Sequence, residues 1–282
     1  MMPQVTTGAL VALLIAPLQF AGELRVQRGA GEPDALQRIA TPQPDFHWRG
    51  RIDRGKAIEV RGINGDIRAE RATGDAVEVT AVKRGRGSDP ERVTIEVVPH
   101  GDGVTICAVY PSRDAARPNE CRPGGGNGRV RDTGVVVEFV VRVPEGVRLV
   151  AATVNGKIEA RDLASDAALT TVNGSISVST TGLARASTVN GSIDAVLGRA
   201  DWTGALEFNT VNGSITVELP EGLSAELEAA TVNGRISTEF PVTVSGRFSP
   251  RRFQGTIGDG GRRLRLSTVN GTIRLRRGEP GA

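Results

Sequence analysis

The side chains that could carry out chemistry are few in this sequence, and they do not cluster. The two histidines, His47 and His100, lie outside the repeated part of the chain. Six carboxylates lie within the repeats, but they occupy different positions in successive repeats. They are Asp162, Asp166, Asp194, Asp201, Glu207 and Glu218. Because acid–base catalysis and glycoside hydrolysis need converging groups, we predict no catalytic residues. A polysaccharide-processing β-helix enzyme stays an alternative.

Metal and phosphate sites are not indicated either. The stretch GDGG at 258–261 is a single partial match to the tandem calcium repeats of other solenoids. The glycine-rich stretches GRGSDPE and PGGGNGR lack the Lys-Ser/Thr pair of a phosphate loop. We therefore predict that the protein binds no cofactor and no metal.

The chain contains 2 cysteines, Cys107 and Cys121, which lie 14 residues apart. In an oxidising compartment they can close this segment as a disulfide, which contributes about 3 kcal/mol in the chain-entropy model. In a reducing compartment they are two free thiols.

The composition favours short strands and tight turns over helices. Glycine is frequent at 36 of 282 residues, whereas aromatic residues make up only 4%. The net charge is +3, and nearly all of the basic residues are arginines. We do not expect a nucleic-acid partner from this mild and dispersed basicity.

The first 22 residues contain the apolar run GALVALLIAPLQFAG, which has the length of a signal-peptide core. This run predicts export to the periplasm or the cell surface, and an uncleaved anchor is the alternative. Residues 23–50 are rich in proline and glycine and are predicted to be a linker.

The motif Thr-Val-Asn-Gly dominates the rest of the chain. It occurs six times, and its asparagines are separated by 18, 17, 22, 21 and 37 residues. We interpret the longest interval as two units, with RFQGTIGDG as a decayed copy that places Gln254 in the asparagine position. A period of 17–22 residues is typical of a solenoid. Asn-Gly is also a strong hairpin signal, so the two interpretations must be separated.

The apolar pattern around each Asn-Gly favours the solenoid. A two-residue hairpin would mix apolar and polar residues on both faces, whereas an extended chain places Val, Gly and Ile on one side. We predict an inner wall of Val154, Ile158, Val172, Ile176, Val189, Ile193, Val211, Ile215, Val232, Ile236, Val269 and Ile273.

The same pattern predicts a structural column of stacked amides. Its members are Asn155, Asn173, Asn190, Asn212, Asn233, Gln254 and Asn270. If the valines point inward, the preceding threonines point outward and form a row of hydroxyls that would suit an ordered glycan or ice. These are Thr153, Thr171, Thr188, Thr210, Thr231 and Thr268. Solvent-facing strand threonines without a ligand are the alternative.

The fold predicted is all-β: a β-solenoid (β-helix-like) of about 17–22-residue coils over residues 144–277, followed by a tail at 278–282. Residues 51–143 read as short strands that form an N-terminal β cap region, interrupted by a long loop at 111–134. Repeats of this kind cannot bury their inner face alone, so both ends need caps.

Two stretches carry a resemblance to known proteins: IEVRGINGDIRAERATGDAVEVTAVKRG and VPEGVRLVAATVNGKIEA. They resemble the bacterial DUF4097 group and the related head GIN-domain group. The resemblance covers about residues 51–277. It implies an exported, adhesin-like β-solenoid without known catalytic residues. We therefore predict a non-catalytic surface or envelope binding protein, with an envelope glycan, another envelope protein or a second copy as partner. A periplasmic scaffold or an envelope-stress sensor accessory is the alternative.

Overall fold

The computed structural model describes residues 45–125, 130–131, 134–244, 249 and 251–278. The predicted signal peptide, linker residues 23–44 and tail residues 279–282 lie outside the described residues. Within the described part, the only helix is the 3-10 turn Pro90–Arg92, and no helix there is long and apolar enough to cross a membrane.

The residues that the structure describes form twenty-one strands. In chain order they are β1 (Phe46–Arg51), β2 (Ala57–Arg61), β3 (Ile67–Arg71), β4 (Ala76–Gly85), β5 (Thr94–His100), β6 (Gly103–Val109), β7 (Val135–Val143), β8 (Arg148–Ala152), β9 (Ile158–Leu163), β10 (Ala167–Thr170), β11 (Ile176–Thr180), β12 (Ala184–Ser187), β13 (Ile193–Leu197), β14 (Ala205–Asn209), β15 (Ile215–Leu219), β16 (Ala225–Asn233), β17 (Ile236–Thr238), β18 (Val242–Val244), β19 (Arg252–Ile257), β20 (Arg263–Asn270) and β21 (Ile273–Arg277).

The strands form two sheets. Sheet A has 10 strands in the order β1-β4-β7-β3-β9-β11-β13-β15-β21-β17, and sheet B has 11 in the order β18-β19-β16-β20-β14-β12-β10-β8-β2-β6-β5. Each coil gives one strand to sheet B, turns a corner, and gives one strand to sheet A. Neighbouring coils are parallel and in register, so that Ile176 lies beside Ile158 and Ile193. The predicted all-β solenoid is confirmed.

The coils, named here by their asparagines, do not stack in chain order. The Asn270 coil lies between the Asn212 and Asn233 coils, because β20 pairs with both β14 and β16. The intervening chain forms the antiparallel strands β18 and β19. Gln254 lies in β19 opposite Glu228. Its predicted place in the amide column is therefore wrong, because the 37-residue interval contains a hairpin and not a further coil.

The N-terminal region is part of the solenoid as well as its cap. The Asn64 coil, built from β2 and β3, stacks directly on the Asn155 coil, and the coil of β6 and β7 lies outside it. Antiparallel strands β4 and β1 extend sheet A, and β5 extends sheet B. Since β1 begins at Phe46, the predicted linker ends about five residues too late.

The interior lies between the two sheets, and the isoleucines form its central row. The six isoleucines at the position after Asn-Gly-x in the coils from Asn64 to Asn270 are completely buried. They are Ile67, Ile158, Ile176, Ile193, Ile215 and Ile273. Burying a side chain of this size stabilises the fold by about 1.5–3 kcal/mol, so each of these coils gains from the row.

The valines and threonines take the opposite sides from those predicted. Val154, Val172, Val189, Val211, Val232 and Val269 are 37–56% exposed, whereas Thr153, Thr171, Thr188, Thr210, Thr231 and Thr268 are buried at 2–6%. The prediction assumed an unbroken alternation along an extended chain. At the corner the chain turns instead, so that two consecutive residues, valine and asparagine, point outward. The threonine before them keeps the inward phase of its strand.

Candidate functional site

The repeated corner is the most regular surface of the molecule. We call the exposed side chains along it the corner stripe: Val154, Val172, Val189, Val211, Val269 and Val232, with Asn155, Asn173, Asn190, Asn212, Asn270 and Asn233 beside them. Adjacent strands lie about 4.8 Å apart. The corner stripe therefore presents the same pair of side chains at a constant spacing.

The asparagine side chains form a continuous ladder. Each Nδ2 donates to the Oδ1 of the preceding coil over 2.7–2.8 Å, from Asn155 to Asn64 at one end to Asn233 and Asn270 at the other. Each amide thus keeps one N–H free of this ladder. The predicted amide column is present, with Asn64 added and Gln254 absent.

The buried threonines form a second ladder. The hydroxyl of Thr171 donates to the carbonyl oxygen of Gly156 over 2.9 Å, and Thr188 donates to Gly174 over 2.9 Å. The same bond recurs at Thr210, Thr231 and Thr268. Because the threonines are buried and their hydroxyls bond to backbone carbonyls of the neighbouring coil, they are structural, and the predicted outward threonine row is not a binding surface.

The corner glycines allow the coils to approach each other closely. A Cβ on Gly174 would lie 2.0 Å from the carbonyl oxygen of Gly156, and a Cβ on Gly191 would lie 2.0 Å from that of Gly174. No side chain fits at such distances, since the neighbouring atoms belong to the backbone. The Asn-Gly pair is therefore fixed by stacking, not by a hairpin.

The first end of the corner stripe is closed by the loop between β6 and β7, of which residues 110–125, 130–131 and 134 are described. This loop replaces the corner in the outermost coil. The Tyr110 hydroxyl donates to the carbonyl oxygen of Val135 over 2.9 Å, and Asn64 Nδ2 donates to the same oxygen. Burial raises the pKa of Tyr110 to about 12, and a hydrogen bond to Asn64 opposes this shift. Tyr110 is fully buried and uncharged at neutral pH.

A disulfide between Cys107 and Cys121 attaches this loop to sheet B. Under it lies Glu59, whose carboxylate accepts hydrogen bonds from Thr105 Oγ1 over 2.8 Å and from the Gly124 N–H. Burial alone would raise the pKa of Glu59, but the bonds from Gly124, Arg61 and Thr105 outweigh it and lower the pKa. The network holds the loop in place, and sequence reasoning missed it because its members are far apart in the chain.

The edge opposite the corner carries a groove of about 520 Å³. The ends of β9 and β13, at Asp162–Leu163 and Val196–Gly198, form part of its lining, and Glu218 and Pro220 line it as well. Asp162 has a φ of 51° and receives the hydroxyl of Ser179 on its Oδ1. Two of the six scattered carboxylates, Asp162 and Glu218, thus share one groove, which the sequence did not indicate.

The other residues considered as chemical groups stay apart. His47 lies exposed in β1, and His100 bonds to Thr105 Oγ1 over 3.0 Å. Asp201 pairs with Arg199 and Glu207 with Arg265. Across the described residues, no three histidine, cysteine, aspartate or glutamate side chains are grouped so that they could hold a metal ion.

Comparison with known proteins finds a family model that matches the repeats. Residues 145–276 match the family model described as Toastrack DUF4097. Similar crystal structures include a "putative cell adhesion protein" from Clostridium sporogenes, with a TM-score of 0.42 and 12% identity over 84% of this chain and 100% of that chain.

Two further crystal structures are similar to the chain. One is a "putative adhesin" from Bacteroides fragilis, with a TM-score of 0.36 and 12% identity over 82% of this chain and 96% of that chain. The other is a "putative adhesin" from Parabacteroides merdae, with a TM-score of 0.22 and 12% identity over 82% and 95%. No curated protein matches the chain. The matched residues 145–276 hold six of the seven stacked Asn-Gly corners, so the repeats are similar to the DUF4097 (Toastrack) family.

Proposed function

We propose that this protein is an exported, non-catalytic, adhesin-like binding protein that holds an extended envelope glycan against its corner stripe. The observation that carries the proposal is the row of six exposed valines, which are 37–56% accessible, whereas the isoleucines that follow the Asn-Gly corners from Asn64 to Asn270 are completely buried. Contiguous exposed apolar surface on a folded protein marks interaction sites.

The backbone around the stripe supports a preformed binding surface. The asparagine and threonine ladders fix every corner to the next. Because the stripe is already ordered before a ligand binds, the entropic cost of binding is low. Each coil of the stripe offers two valine methyl groups and an amide N–H that lies outside the ladder, at a regular interval. Such an array suits the alternating apolar and hydroxyl surface of an extended sugar chain.

Export is supported by two observations. The apolar run at 8–22 has signal-peptide length, and the Cys107–Cys121 disulfide is the kind of bond that persists in oxidising compartments. The absence of enzymatic activity is part of the proposal, since binding through the stripe needs none of the carboxylates in the opposite groove.

The test is retention of the purified protein on an array of bacterial envelope glycans. A variant with Val172→Lys and Val211→Lys places two charges on the stripe with Val189 between them. The matched control, Ser177→Lys and Thr216→Lys, adds the same charge to the outer face of sheet A in the same coils. We expect the stripe variant to lose at least tenfold in retention and the control to bind like the wild type.

Three results would contradict the proposal. They are retention of no glycan by the wild type, equal loss in both variants, and release of new reducing ends from a bound glycan. The first would favour the scaffold or sensor-accessory alternative, and the last would favour an enzyme. Circular dichroism of both variants checks that each is folded.

A further inference from the structure

The two ends of sheet A are finished differently. At one end the antiparallel strands β4 and β1 cover the last coil. At the other end β17 is the edge strand, and it pairs only with β21. Sheet B is extended by β19 and β18 on this side, so the open edge lies in sheet A alone.

Every coil before the last passes the same hydrogen bonds to its neighbour. The glycine N–H donates to the next asparagine carbonyl, as Gly213 does to Asn270 and Gly271 to Asn233, over 2.9–3.0 Å. The isoleucine N–H donates to the residue before the next isoleucine, as Ile215 does to Thr272 and Ile273 to Arg235, each over 2.9 Å.

In the Asn233 coil these groups meet no further coil. The N–H groups of Gly234 and Ile236 and the side-chain oxygen of Asn233 have no partner among the described residues. The apolar side chains show the same break. Val232 is 56% exposed, against 37–39% for the other stripe valines, and Ile236 is only partly buried.

We propose that this edge is a docking site for an extended segment of another polypeptide, which adds a strand to sheet A parallel to β17. Addition of a strand to an exposed sheet edge is a recurrent mode of peptide recognition. Within the same molecule, six coil-to-coil contacts between Asn-Gly corners, from Asn64–Asn155 to Asn270–Asn233, show what this position accepts.

The neighbouring coils define the sequence of the segment. An asparagine would donate its Nδ2 to Asn233 Oδ1, as Asn233 does to Asn270 over 2.7 Å. The next residue must be glycine, because a Cβ on Gly234 would itself lie 1.9 Å from the carbonyl oxygen of Gly271. Two residues further, an apolar side chain would cover Ile236. The partner therefore carries Asn-Gly-x-Ile or Asn-Gly-x-Val.

A second copy of the chain does not offer such a strand from its described coils. Its Asn64 to Asn270 corners are bonded on both sides, and its opposite end is covered by β1, β4 and β5. The occupant is therefore a separate partner with an uncommitted Asn-Gly strand.

A peptide with the sequence of residues 189–197, VNGSIDAVL, is the probe. We expect it to slow amide hydrogen exchange at Gly234 and Ile236 at least tenfold in the full chain, without affecting Gly174 and Ile176. The same peptide with Gly191→Ala should bind at least tenfold more weakly. In the protein, Ile236→Lys should abolish binding, whereas the outward-facing Ser237→Lys should leave it unchanged.

Three outcomes would overturn the proposal. Unchanged exchange at Gly234 and Ile236 would show that the three-residue edge is merely too short to pair, which is a common protection against aggregation. Equal binding of the Gly191→Ala peptide would show that the peptide backbone does not pack closely against Gly234. Protection that rises with protein concentration without peptide would identify a second copy as the occupant.

Discussion

The solenoid turns the same corner in two ways. In the seven coils from Asn64 to Asn233 the corner is short, contains Asn-Gly, and is bonded to its neighbours by backbone and side-chain ladders. In the outermost coil, the loop between β6 and β7 takes the place of that corner, and a disulfide attaches its described part at Cys121. The difference shows that the constraint comes from stacking, since a corner with a free side can vary in length and sequence.

The largest effect expected is from a side chain at a stacked corner. Gly174→Ala would place a Cβ 2.0 Å from the Gly156 carbonyl oxygen, so the two coils must separate and the strands beside them lose register. We expect a loss of more than about 4 kcal/mol or failure to fold, measured by urea denaturation.

Gly222→Ala is the control, because its Cβ would meet nothing within 4 Å. It lies in a turn at the opposite edge and should change the free energy of unfolding by less than about 1 kcal/mol. Equal destabilisation by both substitutions would mean that stacking does not fix the corner.

The corner of the outermost coil, which the loop between β6 and β7 forms, is stabilised by its disulfide and not by stacking on both sides. Replacing both Cys107 and Cys121 by alanine should cost about 3 kcal/mol, since the bond closes a 14-residue segment. Hydrogen exchange should show the loss of protection confined to the loop and the adjacent β6, with the Asn173 and Asn190 coils unchanged. A uniform loss throughout the stack would contradict the separation of the two corners.

The threonine ladder should contribute a smaller amount per coil. Thr188→Val keeps the shape of the side chain but leaves the Gly174 carbonyl oxygen without its donor. The cost expected is about 1–3 kcal/mol, measured by thermal or urea denaturation. Thr188→Ser retains a hydroxyl and should recover most of it, and no difference between the two would refute the ladder as a source of stability.

The smallest effect expected is a pH dependence confined to the loop corner. The pKa of Glu59 is lowered in the folded protein, so its ionised form stabilises the fold above the ordinary carboxyl pKa. This contribution is lost as the pH falls through the lowered pKa. The stability difference between the wild type and Glu59→Gln should shrink on acidification, measured by urea denaturation from neutral to acidic pH.

The exposed Glu207→Gln is the comparison, because it removes a carboxylate that takes no part in the loop network. Glu207 is paired with Arg265 on the surface over 3.4 Å, where solvent screens the interaction. A pH-independent difference for Glu59→Gln would mean that its carboxylate does not hold the loop.

The repeats could be predicted from the sequence because the motif recurs in register. Asn155 and Ile158, for example, recur together in each copy, and their stacking follows from the period. Whether Val154 and Thr153 point inward or outward could not be predicted from the period. The alternation of side chains along an extended strand does not continue across a bend. At each corner, two consecutive residues point outward before a glycine that lies against the backbone of the neighbouring coil. This pattern would have indicated that the chain bends there.

The stacking order of the coils could not be predicted from the sequence for a different reason. Nearly identical coils can exchange places in a stack, so the sequence alone does not favour Asn233 over Asn270 as the neighbour of Asn212. The Glu59 network and the groove at Asp162 could not be predicted either, because both depend on how the coils stack. Each brings together residues from different coils.

The stacking order gives the most direct test of the account. Cysteines replacing Asn212 and Asn270 would lie in adjacent parallel coils, about 4.8 Å apart and within disulfide range, whereas Asn212 and Asn233 lie two coils apart. Mild oxidation followed by peptide mass mapping should join the first pair and not the second. A bond between positions 212 and 233, with none between 212 and 270, would contradict the structure.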